Sequence, residues 1–195
     1  MDSSGIVSSL AASDRSSRLR LAAALAAALG LVARPVAADD GAVPRARDVP
    51  SIFFIARSTN KNQVHYGVRV DEACNVLGDQ PVYGYWRMLE KGGEIEALLG
   101  MEMPAYGLDD KQVIERHAST TTIRIKLRAF PERLLVITVA KGQRGCQAFA
   151  MTPIAGREAH LSSIYVRLKW PFGIDYLLVR GATSDGQRVQ ELIQN

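Results

Sequence analysis

The feature that most limits the fold is an apolar alternation of period two. In "VHYGVRV", Val64, Tyr66, Val68 and Val70 alternate with His65, Gly67 and Arg69, the pattern of a half-buried strand. "TTIRIKL" repeats it, with Ile123, Ile125 and Leu127 on one face and Arg124 and Lys126 on the other. Arg128 continues that basic stripe, since strand side chains two apart share a face. "SIFFIA", "RLLVITVA" and "DYLLVRG" are apolar on both parities, as central strands are. "PVYGYWRML", "CQAFAMT" and "HLSSIYVRLKW" complete about eight strands. The Asp-Gly of "SDGQ" is a hairpin signal, and "KGQRG" and "PIAGR" place glycines where positive φ is needed. One segment breaks the pattern: "GGEIEALLGMEMPAYGL", Gly92 to Leu108, reads as a short helix ended by Pro104. The expectation is a mostly β chain: a single antiparallel sandwich or barrel-like domain of about eight strands with one short helix.

The N-terminus has a different character. Arg15, Arg18 and Arg20 precede "LAAALAAALGLV", an uncharged apolar run, and Val36 and Ala38 are small residues at the −3 and −1 positions of a cleavage site. A basic start, a short apolar centre and an A-x-A-like site describe a Sec-type secretory signal peptide over residues 1–38, cleaved after Ala38. The run is short for a transmembrane helix, which needs about 20 residues. An uncleaved anchor or a buried Ala-rich helix is the plainer alternative. The arginines are not adjacent and no Cys follows the run, so neither twin-Arg export nor a lipid anchor is indicated. The expected location is periplasmic or secreted, with no transmembrane anchor after cleavage. Residues 39–50, "DDGAVPRARDVP", read as a linker, leaving 51–195 as the β-domain.

Removal of that leader changes the charge. The whole chain has 24 Lys and Arg against 20 Asp and Glu. The leader takes four arginines and two aspartates, leaving 20 against 18 and a net charge of +2. A nucleic-acid binder shows a dense basic patch. The nearest feature here is the Arg124, Lys126, Arg128 stripe, which reads as a solvated strand face or an edge guarded against pairing. No nucleic-acid partner is expected.

Local catalytic motifs are absent. His65, His117 and His160 form neither H-x-H nor H-E-x-x-H, so no metal site is expected. Glu115 and His117 would share a strand face, as a base and its orienter or as two solvated side chains. There is no G-x-S-x-G elbow or Ser-x-x-Lys, and "LEKGGE" lacks the Lys-Ser/Thr of a phosphate loop, so no cofactor is expected. Cys74 and Cys146 are an even pair that an oxidising compartment allows to bridge; two buried thiols are the alternative.

The polar stretch "RSTNKN" between two apolar runs is the most informative loop. Ser58, Asn60 and Asn62 suit a tight reversal, because they hydrogen-bond their own backbone and tolerate the left-handed region. Arg57, which ends an apolar strand, is either exposed or set against a carboxylate such as Glu90 or Glu102. Alternatively, Arg57, Ser58, Asn60 and Asn62 form a ligand-binding loop with Tyr66, Tyr85 or Trp86 as a stacking surface. The aromatics are equally suited to a core.

"FFIARSTNKNQVHYGVRV", "PVYGYWRMLEKG", "MEMPAYGL" and "LSSIYVRLKWPFGIDYLLVRGATSDGQRV" together resemble domain-of-unknown-function family 4833, over nearly all of Ser51 to Gln194. The likeness rests on the Arg-Ser-x-Asn-x-Asn hairpin, the Tyr-Trp pair after Pro-Val, the Ala-Tyr-Gly segment and the closing pair of strands. It implies an exported β-domain and carries over no catalytic residue. The function expected is a non-catalytic module binding a small ligand or a cell-envelope component. A structural or protein-interaction domain is the alternative, and a hydrolase with scattered residues such as Glu102, Glu115 and His117 the second. The oligomeric state is left open.

Overall fold

The computed structural model describes residues 43–169 and 173–194. The expected signal peptide, residues 1–38, and the first linker residues, 39–42, lie outside the described residues. The strands are β1 (Val49–Arg57), β2 (Gln63–Val68), β3 (Val82–Met88), β4 (Glu94–Ala97), β5 (Val113–Arg116) and β6 (Thr120–Leu127). There follow β7 (Phe130–Gly142), β8 (Gly145–Ile154), β9 (Arg157–Lys169), β10 (Gly173–Ala182) and β11 (Arg188–Gln194), and one α-helix, α1 (Met103–Tyr106), lies between β4 and β5.

The described residues are mostly β, with one short helix, and form an open, mixed sheet in the order β4-β3-β2-β1-β9-β8-β7-β6-β5, with β10 and β11 added beside β9. Eleven strands replace the expected eight or so. The added ones include the four-residue β4 and β5, too short to carry a visible period. All pairs are antiparallel except one: β1 runs parallel to β9, with Phe54 opposite Ser163 and Arg57 opposite Val166. That pair joins elements far apart in the chain, which local periodicity does not report. The chain is extended from Val49 rather than Ser51.

Two outcomes around α1 differ from the sequence reading. Residues Glu94–Ala97, expected in a helix, pair with β3 as a strand. Pro104 does not end the helix; it occupies the first turn of α1, where its missing N–H has no partner to lose.

β9 organises the sheet. Residues Ser163–Val166 pair with β1 on one side and with β10 on the other. His160 pairs with β10 and also with Met151 of β8. β8 and β1 therefore occupy the same edge of β9, one after the other, while β10 follows the opposite edge. Where the edge changes hands, Arg180 opposes Ser163 but Gly181 opposes Leu161, leaving Ser162 as an extra residue. A bulge of this kind bends a strand and reverses its facing. Accordingly Ala159 and Leu161 are buried before it, and Ile164 and Val166 after it.

From this strand two arms diverge, β1 to β4 and β8 to β5. Val64, Tyr66 and Val68 of the first and Ile123, Ile125, Leu135 and Ile137 of the second join one hydrophobic core. The burial of β6 alternates through its whole length, and Arg124 and Lys126 point away from the core. Arg128 lies past the strand end, where it bonds to the Leu108 carbonyl and Asp110. The Asp-Gly turn is present, with Gly186 at φ 83° and Thr183 N–H donating to Gln187 O at 2.9 Å.

The arms are tied together away from β9 as well. Tyr66 of β2 donates its hydroxyl to the Tyr106 carbonyl at 2.6 Å. Arg128 N–H donates to Gly107 O and Asp109 N–H to Lys126 O, at 3.0 and 2.9 Å, so the α1 segment is stitched onto the end of β6. Cys74, in the loop after β2, forms a disulfide with Cys146 of β8, with Cα atoms 5.2 Å apart.

That bridge spans a sequence separation of 72. The chain-entropy model gives such a crosslink about 4 kcal/mol. Cys74→Ser/Cys146→Ser is expected to unfold at a clearly lower urea concentration than the oxidised protein. A reductant is expected to lower the midpoint of the parent and leave the double variant unchanged.

Candidate functional site

The Arg57–Asn62 loop joins β1 to β2, and its Ser58, Asn60 and Asn62 make bonds within the fold. Asn60 Oδ1 accepts from Arg57 Nε at 3.2 Å and from Asn62 N–H at 3.1 Å. Buried Asn62 accepts from Glu90 N–H at 3.1 Å and donates to the Glu90 carboxylate at 3.4 Å. Ser58 N–H donates to Val166 O at 3.0 Å, and Ser58 Oγ accepts from Leu168 N–H at 3.1 Å. Ser58 thus extends the β1–β9 pairing one residue further. Arg57 is neither fully exposed nor paired with Glu90. It is half-buried, with its guanidinium carbon 4.9 Å from the centre of the Trp86 ring. Glu102 shares a shallow depression with Arg57 and Trp86, and its carboxylate accepts from Leu99 N–H at 3.3 Å. The loop is a clamp between β1, β9 and the end of β3.

The three aromatic candidates do not form one surface. Tyr66 is fully buried and stacks on Phe53 at 4.5 Å. Trp86, on the same side of the sheet, sets its ring edge to Tyr106 at 5.4 Å. Its Nε1 is buried with no acceptor among the described residues. Tyr85 faces the other way, in a row Phe54–His65–Tyr85 with centroids 5.3 and 5.7 Å apart. The start of β1 and the residue before it cover this row: Tyr85 donates to Pro50 O at 2.6 Å and Tyr83 to Asp48 at 2.9 Å. Burial and the neighbouring Asp48 carboxylate hold the Tyr83 phenol protonated far above its ordinary range. Gly67 lets the Tyr83 ring lie across β2, since a Cβ there would sit 2.9 Å from it.

His65 lies in the middle of this row. Its Nδ1 is 2.8 Å from Ser51 Oγ and its Nε2 2.9 Å from Gln63 Oε1. A neutral imidazole satisfies both contacts, Nδ1 accepting and Nε2–H donating. Burial, with Arg87 nearby, lowers its pKa from 6.5 to about 4.

Among the other titratable candidates, Glu102 and His117 line different hollows. Glu115 is paired with Arg124 at 2.7 Å. His117 lies beyond β5, beside the disulfide, with Thr120 and Lys141 around the same hollow. Among the described residues no three His, Cys, Asp or Glu are grouped as metal ligands would be.

An apolar hollow of ligand-sized dimensions lies elsewhere, between the arms. A cavity of about 380 Å³ is walled by Ile55, Ile164, Val166 and Leu177 on one side and Leu127 and Phe130 on the other. Tyr106 of α1 closes one flank, and Lys169, where β9 ends, lies at its margin. None of these was singled out from sequence as a site except by position in a strand. The signal was present in β9: after the Ser162 bulge, Ile164, Val166 and Leu168 share a face, and Lys169 ends the strand.

Fold and site together define a two-armed, disulfide-linked β-domain with an apolar hollow between its arms. The chain belongs to the family described as "Domain of unknown function (DUF4833)", whose model matches residues 53–192. Neither a curated protein nor a solved structure shows a significant match.

Two outcomes test these local assignments. Asn62→Ala removes the bonds between buried Asn62 and exposed Glu90 and is expected to cost about 0.5–1.5 kcal/mol in urea unfolding. For His65, the unfolded chain binds a proton below pH 6.5 that the folded chain refuses until about pH 4. Its contribution is therefore complete above pH 6.5 and is lost as the pH falls to 4. Allowing for partial solvent screening, the loss is about 1–2 kcal/mol. Melts between pH 7.5 and 4 are expected to show this slope in the parent and to lose it in His65→Phe.

Proposed function

We propose that the mature domain is an exported, non-catalytic module that holds a small apolar molecule in the cavity between its arms. The observation that carries this reading is the cavity itself, about 380 Å³ within an apolar wall. Ligand sites are apolar hollows of about 300–1,000 Å³ with few polar groups. Export is supported by the basic, apolar and small-residue order of residues 1–38 and by the Cys74–Cys146 bridge, a bond that persists in oxidising compartments.

The Arg57–Asn62 loop supports a structural role rather than ligand contact, because Asn62 already bonds to Glu90 and Ser58 to Val166 and Leu168. A hydrolase reading has less behind it, since the Glu115 carboxylate is paired with Arg124 and Glu102 lines a different hollow from His117.

The test is fluorescence titration of the full chain with N-phenyl-1-naphthylamine, a neutral apolar probe. Saturable uptake is expected in the parent. Leu177→Trp and Ala105→Trp, which place an indole in the cavity wall, are expected to weaken it about tenfold or more. Leu192→Trp, on the exposed opposite face of the β10–β11 hairpin, is expected to leave it unchanged. Absence of uptake, or uptake indifferent to the two wall variants, would reject the cavity as the binding site.

A further inference from the structure

The cavity wall also restricts the chemistry of its occupant; this inference rests on the cavity-binding reading. The strands that supply the wall spend their backbone groups on each other: β9 pairs with β1 on one edge and β10 on the other. The interior of the cavity therefore offers a ligand few hydrogen-bond partners. A polar group placed there would lose its water without replacement. The wall is dominated by aliphatic side chains, which suit a flexible chain better than a stacked ring.

Charge is confined to one place. Among the described residues lining the cavity, Lys169 alone is charged, and no carboxylate joins it. Lys169 is exposed and makes no ion pair among the described residues. Arg128, between the lining residues Leu127 and Ala129, is not a second cation for the same purpose. Its guanidinium is committed to the Leu108 carbonyl and to Asp110. An apolar interior with a single ammonium at its margin matches a molecule with an aliphatic tail and one negative end. The long stem of a lysine packs along apolar surface while its head stays in water.

We propose that the cavity binds a single-chain anionic amphiphile, its tail among Ile164, Val166 and Leu177 and its charged oxygen head at Lys169. The head group is a carboxylate or a phosphate monoester, which offer Lys169 the same contact. A neutral or cationic head of equal chain length gains nothing there.

The experiment is displacement of N-phenyl-1-naphthylamine from the full chain by decanoate, decyl phosphate, decan-1-ol and decylamine. It is run on the parent, Lys169→Gln and Lys169→Glu. In the parent, an anion is expected to displace the probe at a concentration three- to tenfold lower than decan-1-ol. That preference is expected to shrink in Lys169→Gln, to vanish in Lys169→Glu, and to weaken as salt rises. Which of decanoate and decyl phosphate is the stronger identifies the head group. Lys169 is exposed, so its replacement leaves the core intact, and unchanged uptake of the neutral probe verifies this.

Equal displacement by decan-1-ol and both anions, or a preference that survives Lys169→Glu, would overturn the anionic amphiphile and leave cavity binding standing. Uptake of the probe with no displacement by any of the four would overturn it equally. Failure of the parent to take up the probe would remove the cavity reading and this one with it.

Discussion

Everything in this domain depends on β9 serving three neighbours. A strand has two edges, and β10 fills one for nearly its whole length. The other is divided between β8 and β1, an arrangement possible because Ser162 is inserted at the point of transfer. In a regular strand Leu161 and Ile164, three residues apart, would point to opposite faces and one of them would leave the core. The bulge turns the strand so that both are buried, one against each end of the same interior. The arms then diverge from a common edge, and the space between them is filled by side chains except at the cavity.

The polar features around this frame are restraints more than sites. Ser58 continues the β1–β9 pairing by one side-chain bond. Asn62 seals the chain to the start of the turn after β3. On the outer face Asp48, Pro50 and Ser51 hold a layer of chain over Tyr83, Tyr85 and His65. Each buried polar atom in this set has a partner, as interiors require; Trp86 Nε1 is the exception among the described residues.

Much of the fold was legible in the sequence because alternation is a local property. Ile123, Ile125 and Leu127 announced both a strand and its buried face, and Asp185-Gly186 announced a hairpin. The parallel β1–β9 pair was not legible, since nothing in Phe54 or Ser163 names the other as partner. The segment around Pro104 misled for a different reason: a proline stops a helix that precedes it but is welcome in the first turn of one that follows. The loop "RSTNKN" showed its turn chemistry, and its use as a clamp depended on Glu90 and Val166, which only the fold brings near. The cavity left still less trace, because its walls are ordinary strand residues and a void is made by how elements meet.

The β1–β9 pairing also bears on how the molecule is made. Chains emerge N-terminus first, so β1 to β4 can close as a local meander while β9 is still to come. Until then the edge of β1 that β9 will occupy carries open N–H and C=O groups beside Phe53 and Ile55. Such a waiting edge is a template for pairing with other chains, and non-local contacts of this kind slow folding. The nascent first arm is therefore the stage at which this protein most needs shielding, although the finished molecule keeps no trace of it.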